Sequence, residues 1–202
     1  VILVVCALLA ELRYFVPRPQ VEVVACGVGP VEAAIAVATA LTRAPYDAVV
    51  NAGIAGAFRG AARVGDAVLV ADETFADFGL EGGAALSLPG GATLADRARA
   101  DAGLLARCRN NTVLQQLVRG LTVAQVTTTD STAERLQARF GADVESMEGF
   151  SVLRAAAVAG VASLEVRGIS NYVGARDAAQ WDFALGARAA ARALDAVLDC
   201  IA

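Results

Sequence analysis

The sequence predicts an α/β fold in which a central, largely parallel sheet is covered by helices on both faces. Three observations carry that expectation. Short runs of Val, Ile, Leu and Ala recur along the chain, as in VILVVC (1–6), VEVVAC (21–26) and DAVVNA (47–52). Strands buried on both faces read this way, with little alternation of polar and apolar residues. Ala-rich helical segments lie between them, the order expected of crossover connections. Apolar residues make up 56% of the 202 residues and charged residues 19%, which suits a packed core and excludes a disordered chain.

Residues 1–6 form the first strand and residues 21–26 the second. In GVGPVEAAIAVATALTR, Gly27 and Gly29 make a turn, Pro30 suits the first helical position, and the helix runs to Arg43. Residues 47–52 read as a buried strand ending at the glycine-rich GIAGAF, and the turn at Val64-Gly65-Asp66 starts a strand over 67–75. The stretch 80–94, rich in Gly, Ser and Pro, is the candidate long loop. Residues 95–109 predict a helix and 121–127 a strand. Ser131-Thr132-Ala133-Glu134 matches a capping box, so a helix is expected over 132–140. A short strand at 142–146, a helix from Met147 to Val158 stopped by Gly160, and a last strand over 161–170 follow. NYVGARD reads as a loop, and Asp182 is a suitable N-cap for a final helix over 181–201. No repeat, linker or low-complexity tail interrupts the chain, so a single domain, 1–202, is the economical reading.

Composition removes several classes of function. There is no histidine, which excludes Ser-His-Asp triads, Cys-His pairs and His-ligated metal sites. A net charge of −4 without a basic run is a poor match to nucleic acid or an anionic membrane. The longest apolar runs, VILVVCALLA and AAAVAGVASL, fall far short of the ~20 residues of a spanning helix. No basic leader with a cleavage site is recognisable at the start. Cys6, Cys26, Cys108 and Cys200 lie far apart with no C-x-x-C, so they read as reduced and buried, hence cytoplasmic.

Three constellations could carry chemistry. GVGPVE (27–32) sits between a strand and a helix, but Glu32 stands where a dinucleotide-binding turn needs its third glycine. It therefore reads as a tight strand-to-helix turn. Carboxylates follow apolar segments at Glu11 and at the pair Glu145 and Glu148, which would share a face if both were helical. Each alone is better explained as an exposed helix-start carboxylate. The Ser170-Asn171 pair ends a core strand, where open α/β sheets place ligand contacts. An amide there offers both a donor and an acceptor, although Asn also punctuates ordinary turns.

In combination these pieces resemble one family. The order CALLAE, GVGP before a helix, NAGIAGAF, RVGD before a strand, ESMEG and RGISN resembles the nucleoside phosphorylase/nucleosidase superfamily along nearly the whole chain. That superfamily includes the methylthioadenosine/S-adenosylhomocysteine nucleosidases and the purine nucleoside phosphorylases. The endings GIAGAF, ETFADFGLE and SNYVGARD with a following Trp are most similar to its futalosine-hydrolase branch, which releases hypoxanthine. The resemblance implies a three-layer α/β fold of the phosphorylase/hydrolase type, with a mixed, mostly parallel twisted sheet flanked by helices. It implies a nucleoside substrate and water, no metal or organic cofactor, and a homodimer or larger homo-oligomer. Carried over to this chain, it implies that Glu148 binds the ribose hydroxyls and Met147 packs on the sugar. Glu11 would activate the attacking water, with Arg167 beside it. Ala55 and Gly56 would lie against the base, and Asn171 would hydrogen-bond it.

The chemistry gives reasons for these residue types. N-ribosidic cleavage builds positive charge on the sugar and negative charge on the base, as in glycoside hydrolysis. Carboxylates near the sugar and a hydrogen-bond partner at the base meet both needs. An amide at Asn171 stabilises a departing 6-oxopurine without being an acid. The sequence departs from the resemblance in three places. Asp66 in the Arg63-Val64-Gly65-Asp66 turn would repel phosphate, which favours water as nucleophile. Ile54 stands where the adenosine-type nucleosidases carry a Ser. Their stacking aromatic has no match near Asp130-Ser131-Thr132, which leaves Phe75, Phe78 and Phe150 as candidates. Arg176, in the loop after Asn171, is chemically apt for a distal substrate carboxylate. A purine nucleoside phosphorylase or a methylthioadenosine/S-adenosylhomocysteine nucleosidase, and a nucleoside-binding module without turnover, are the alternatives.

Overall fold

The structure, a computed structural model, describes residues 1–80, 88–175 and 181–201. Its strands and helices are β1 (Ile2–Cys6), β2 (Val21–Ala25), α1 (Pro30–Arg43), β3 (Ala48–Ala57), β4 (Ala67–Phe75), β5 (Arg97–Arg99), α2 (Ala102–Cys108), β6 (Leu117–Thr122), α3 (Asp130–Phe140), β7 (Val144–Ser146), α4 (Gly149–Val158), β8 (Ser163–Tyr172) and α5 (Phe183–Ile201). The strands make one mixed sheet, mostly parallel and flanked by helices. β1 lies parallel between β2 and β3. β3 then meets β8 in parallel along its length and β7 antiparallel at its end. β8 runs antiparallel to β4, β4 parallel to β6, and β6 parallel to β7. The pairings β3–β8–β4–β6–β7–β3 therefore form a closed circuit, and the twisted sheet curls on itself at one end. β3 and β8 make this possible because each runs for 10 residues and outreaches β1.

Alternate residues of β1 show why helices cover both faces. Leu3 and Val5 pack with Ala33 and Val37 of α1 and Val152 and Ala156 of α4. Val4 and Cys6 face the opposite side and pack with Ala190, Leu194 and Val197 of α5. α5 lies directly on β8, because a Cβ on Gly168 would fall 2.0 Å from the carbonyl oxygen of Gly186. Among the described residues no helix is long and apolar enough to cross a membrane. All four cysteines are unpaired, and Cys6, Cys26 and Cys108 are buried.

Several sequence expectations need correction. β3 does not end at residue 52 but continues through the glycine-rich segment to Ala57. Its Gly and Ala residues are buried in the sheet. The helix expected over 95–109 divides into the short strand β5 and the seven-residue α2, with Asp101 between them accepting from Leu104 N. β6 occupies 117–122 instead of 121–127. α3 is capped by Thr129, whose hydroxyl accepts from Thr132 N, so Ser131 lies inside the helix and its capping box does not form. Asp182 does cap α5, accepting from Leu185 N.

Candidate active site

A cavity of about 440 Å³ opens where β1, β3 and β8 end. Glu11 reaches it from the 3₁₀ turn Leu9–Leu12 that follows β1. Ala55 and Gly56 supply part of its wall from the far half of β3, and Asn171 supplies another part from β8. Met147 and Glu148 come from the junction of β7 and α4 and also line it. Arg167 lies below the surface, 1% exposed. The structure thus brings the carboxylates of Glu11 and Glu148, the Arg167 guanidinium and the Asn171 amide into one neighbourhood. Arg176 lies outside the described residues.

Arg167 organises the acidic groups. Its Nε donates to Glu165 Oε1 at 2.8 Å, and one terminal nitrogen donates to the Ile54 carbonyl at 3.3 Å. The same nitrogen lies 3.8 Å from Glu148 Oε2. The other oxygen of Glu148 accepts from the backbone N–H of Gly29 at 2.9 Å, at the start of α1. Glu148 is therefore held from two sides, and its helix-opening position adds the favourable end of the α4 dipole. Glu11 Oε2 accepts no hydrogen bond from any described residue. Burial pushes the Glu11 carboxyl up to about 7; Arg167 opposes the shift and Glu148 adds to it. Gly53 lies directly under this pair, since a Cβ there would fall 2.6 Å from Glu11 Oε2 and 2.9 Å from Arg167.

Behind Arg167 lies a second layer that sequence reasoning missed. Glu73 and Glu165 are both completely buried. Thr122 Oγ1 donates to Glu73 Oε2 at 2.8 Å, and Phe150 N donates to that hydroxyl. Glu73 Oε1 and Glu165 Oε2 have no donor of their own. Burial, then the Glu165 charge, push the Glu73 carboxyl well above the usual carboxylate range, and burial pushes Glu165 up as well, against the pull of Arg167. Glycines make room for this pair: a Cβ on Gly120 would fall 2.0 Å from Glu73, and one on Gly149 would meet Glu73 and Glu165. The signal was present in SLEVRG, because Glu165 and Arg167 are two apart on one strand and must share a face. Glu165 and Glu148 both face the one Arg167 guanidinium, with Glu11 beside them. The local field favours a positive charge developing in the cavity.

The Asn171 amide is oriented by its neighbours. Ser170 Oγ donates to its Oδ1 at 2.8 Å, and its Nδ2 donates to the Tyr172 carbonyl at 3.0 Å. One Nδ2 hydrogen remains to donate into the cavity. The aromatic candidates resolve differently from expectation. Phe75 stacks on Phe78 and Phe150 with centroids 5.8 and 5.5 Å apart, and none of the three lines the cavity. Tyr172, Trp181 and Phe183 do line it.

Comparison with known proteins identifies the family. Residues 12–201 match the model of the phosphorylase superfamily, and the chain belongs to that family. It is 38% identical over 177 residues to futalosine hydrolase of Thermus thermophilus, covering 85% of this chain and 78% of that protein. It is 40% identical over 178 residues to futalosine hydrolase of Streptomyces coelicolor, covering 79% and 71%. Among solved structures, futalosine hydrolase of Helicobacter pylori superposes with a TM-score of 0.84 at 18% identity, covering 98% of this chain and 97% of that one. The methylthioadenosine/S-adenosylhomocysteine nucleosidase of Neisseria meningitidis gives 0.85 at 16% identity, covering 99% of each chain. These structural matches establish the shared fold.

Proposed function

We propose that this chain is an N-ribosyl hydrolase that cleaves futalosine into hypoxanthine and dehypoxanthine futalosine, a step of menaquinone biosynthesis. The carrying observation is the meeting of Glu11, Glu148 and Asn171 around one cavity above Arg167. The identity to two futalosine hydrolases supports the choice of nucleoside. In this reading Glu148 accepts from the ribose hydroxyls, a charge-assisted contact of the strong kind. Met147 packs on the sugar. As the C1′–N9 bond breaks, its electron pair moves onto the base, where the Asn171 N–H donates to O6 or N7. Ala55 and Gly56 supply the surface on which the base rests. Water attacks C1′ and gives its proton to Glu11, whose free Oε2 and elevated pKa suit a base working near neutrality. Arg167 holds Glu148 and Glu11 in place. The proton on Glu11 then returns to the departing base or to solvent. Asp66, bonded to Arg63 N in the turn before β4, supports water over phosphate as the nucleophile.

The same reading includes a homodimer or larger homo-oligomer. Leu8 and Val28 at the cavity mouth are 46% and 52% exposed, and Val31 and Ile35 on α1 are 67% and 56% exposed, which supports a covered face there. The unpaired cysteines support a reducing, cytoplasmic setting. Arg176 remains the proposed partner of the distal substrate carboxylate, and an unchanged KM in Arg176→Ala refutes that role. The central test incubates the protein with futalosine, inosine and methylthioadenosine, with and without phosphate, and separates the free bases by chromatography. Hypoxanthine release from futalosine without phosphate is expected. Release that requires phosphate identifies a phosphorylase, and tight binding without release identifies a binding module; either outcome overturns the proposal.

A further inference from the structure

Glu145 is a carboxylate that the reaction above does not use. It is 7% exposed, yet it lines the same cavity. Thr127 holds it in place through two contacts. The Thr127 backbone N–H donates to Oε1 at 3.1 Å, and its hydroxyl donates to Oε2 at 2.5 Å. A carboxylate has about four acceptor positions, so both oxygens can still accept.

Sheet register places Glu145 opposite the base-contacting amide. Gly56 of β3 pairs with Glu145 on β7 and, just past a bulge that skips Ser170, with Asn171 on β8. Directly paired residues present their side chains to the same face. Glu145 and Asn171 therefore flank Gly56 on one face. Their backbones are two strand spacings apart, about 10 Å. Gly56 has no side chain between them, and a Cβ there would fall 3.1 Å from Asn171 Nδ2. The result is a slot with a flat floor, a donor on one wall and an acceptor on the other.

We infer that Glu145 is a specificity-determining residue that accepts the N1–H of a 6-oxopurine base resting on Gly56, opposite the Asn171 donor. This rests on the proposed hydrolysis of a hypoxanthine nucleoside and identifies how its base is selected. Hypoxanthine offers a donor at N1 beside acceptors at O6 and N7, which complements the slot. Adenine offers an acceptor at N1 and a donor at its amino group, which sets lone pairs against the carboxylate and N–H against N–H. Rejection of this kind is strong because it leaves buried polar groups unpaired.

Binding of free bases tests the inference apart from turnover. Calorimetry on the intact protein compares hypoxanthine, adenine and 1-methylhypoxanthine, in which a methyl group replaces the N1–H. Wild-type protein is expected to bind hypoxanthine about 10- to 100-fold more tightly than the methylated base, the range for losing a hydrogen bond to a charged group. Glu145→Gln is expected to lose most of its preference for hypoxanthine over adenine, since its amide can donate to adenine N1. With futalosine the same variant is expected to show a raised KM and a smaller change in kcat. Equal binding of hypoxanthine and 1-methylhypoxanthine by wild-type protein overturns the inference, as does an unchanged preference in a folded Glu145→Gln. Failure of the proposed hydrolysis shows itself separately, as no hypoxanthine released by wild-type protein.

Discussion

Gly53→Ala adds one methyl group at a buried β3 position that does not itself line the cavity, and the structure sets its consequence. The new Cβ would lie 2.6 Å from Glu11 Oε2 and 2.9 Å from the Arg167 guanidinium, where ordinary contact begins at 3.4 Å. The Glu11 oxygen must retreat by about 0.8 Å and the guanidinium by about 0.5 Å, and a misplacement near 1 Å costs about 10²-fold in rate. Gly53 does not have a positive φ, so alanine is conformationally acceptable there and the loss is one of space. The assay is kcat for hypoxanthine release, read beside a thermal melt. The expected result is kcat lowered about 100-fold with cooperative unfolding retained. A folded Gly53→Ala with kcat within twofold of wild type refutes the claim that Glu11 and Arg167 act from these positions.

Glu11→Gln is expected to lower kcat by about 10²–10⁴-fold while nucleoside binding survives; full activity removes Glu11 from the water-activating role. The kcat/KM profile should fall as pH drops through about 7, because a protonated Glu11 cannot take a proton from water. Stability runs the opposite way. Glu11 binds its proton in both states below its ordinary 4.5, but above about 7 the fold carries a charge that burial disfavours. Glu11→Gln should therefore melt higher than wild type at pH 8, by up to about 3 kcal/mol, with the gain vanishing below pH 4.5. Glu165→Gln removes the carboxylate that accepts from Arg167 Nε inside the core and should cost about 3–5 kcal/mol by denaturant titration. Asn171→Ala should lower kcat more than it raises KM, and the reverse split would assign the amide to ground-state binding.

The parts of the fold legible in the sequence were those with clean punctuation. β1, α1 and β4 are bounded by turns and a helix-starting proline, and their expected limits agree with the structure to within a residue. The far half of β3 was hidden because Gly and Ala carry no hydrophobic signature, although they are buried here by the closed strand circuit, and β8 runs two residues past its expected end at 170. β5 was hidden for the opposite reason, since RAR has nothing strand-like beyond its pairing with β4. At the site, Glu11, Glu148, Arg167 and Asn171 were named from resemblance, and the structure gathers them. Glu145 was noticed only as a neighbour of Glu148. Its meaning depends on register across β7, β3 and β8, which no linear pattern displays. Glu73 stands 92 positions before Glu165, so their meeting in the core is a product of chain folding alone.

Glu148 is also a clasp. One of its oxygens fastens the first turn of α1 through Gly29, while the other faces Arg167, so the side chain proposed to meet the sugar also joins an outer helix to the centre of the molecule. Hydroxyls arriving at that carboxylate must share it with the Gly29 amide. Occupancy of the cavity is then expected to register at the periphery, as a changed rate of deuterium uptake at the head of α1, a signal obtainable from unlabelled nucleoside without following its cleavage.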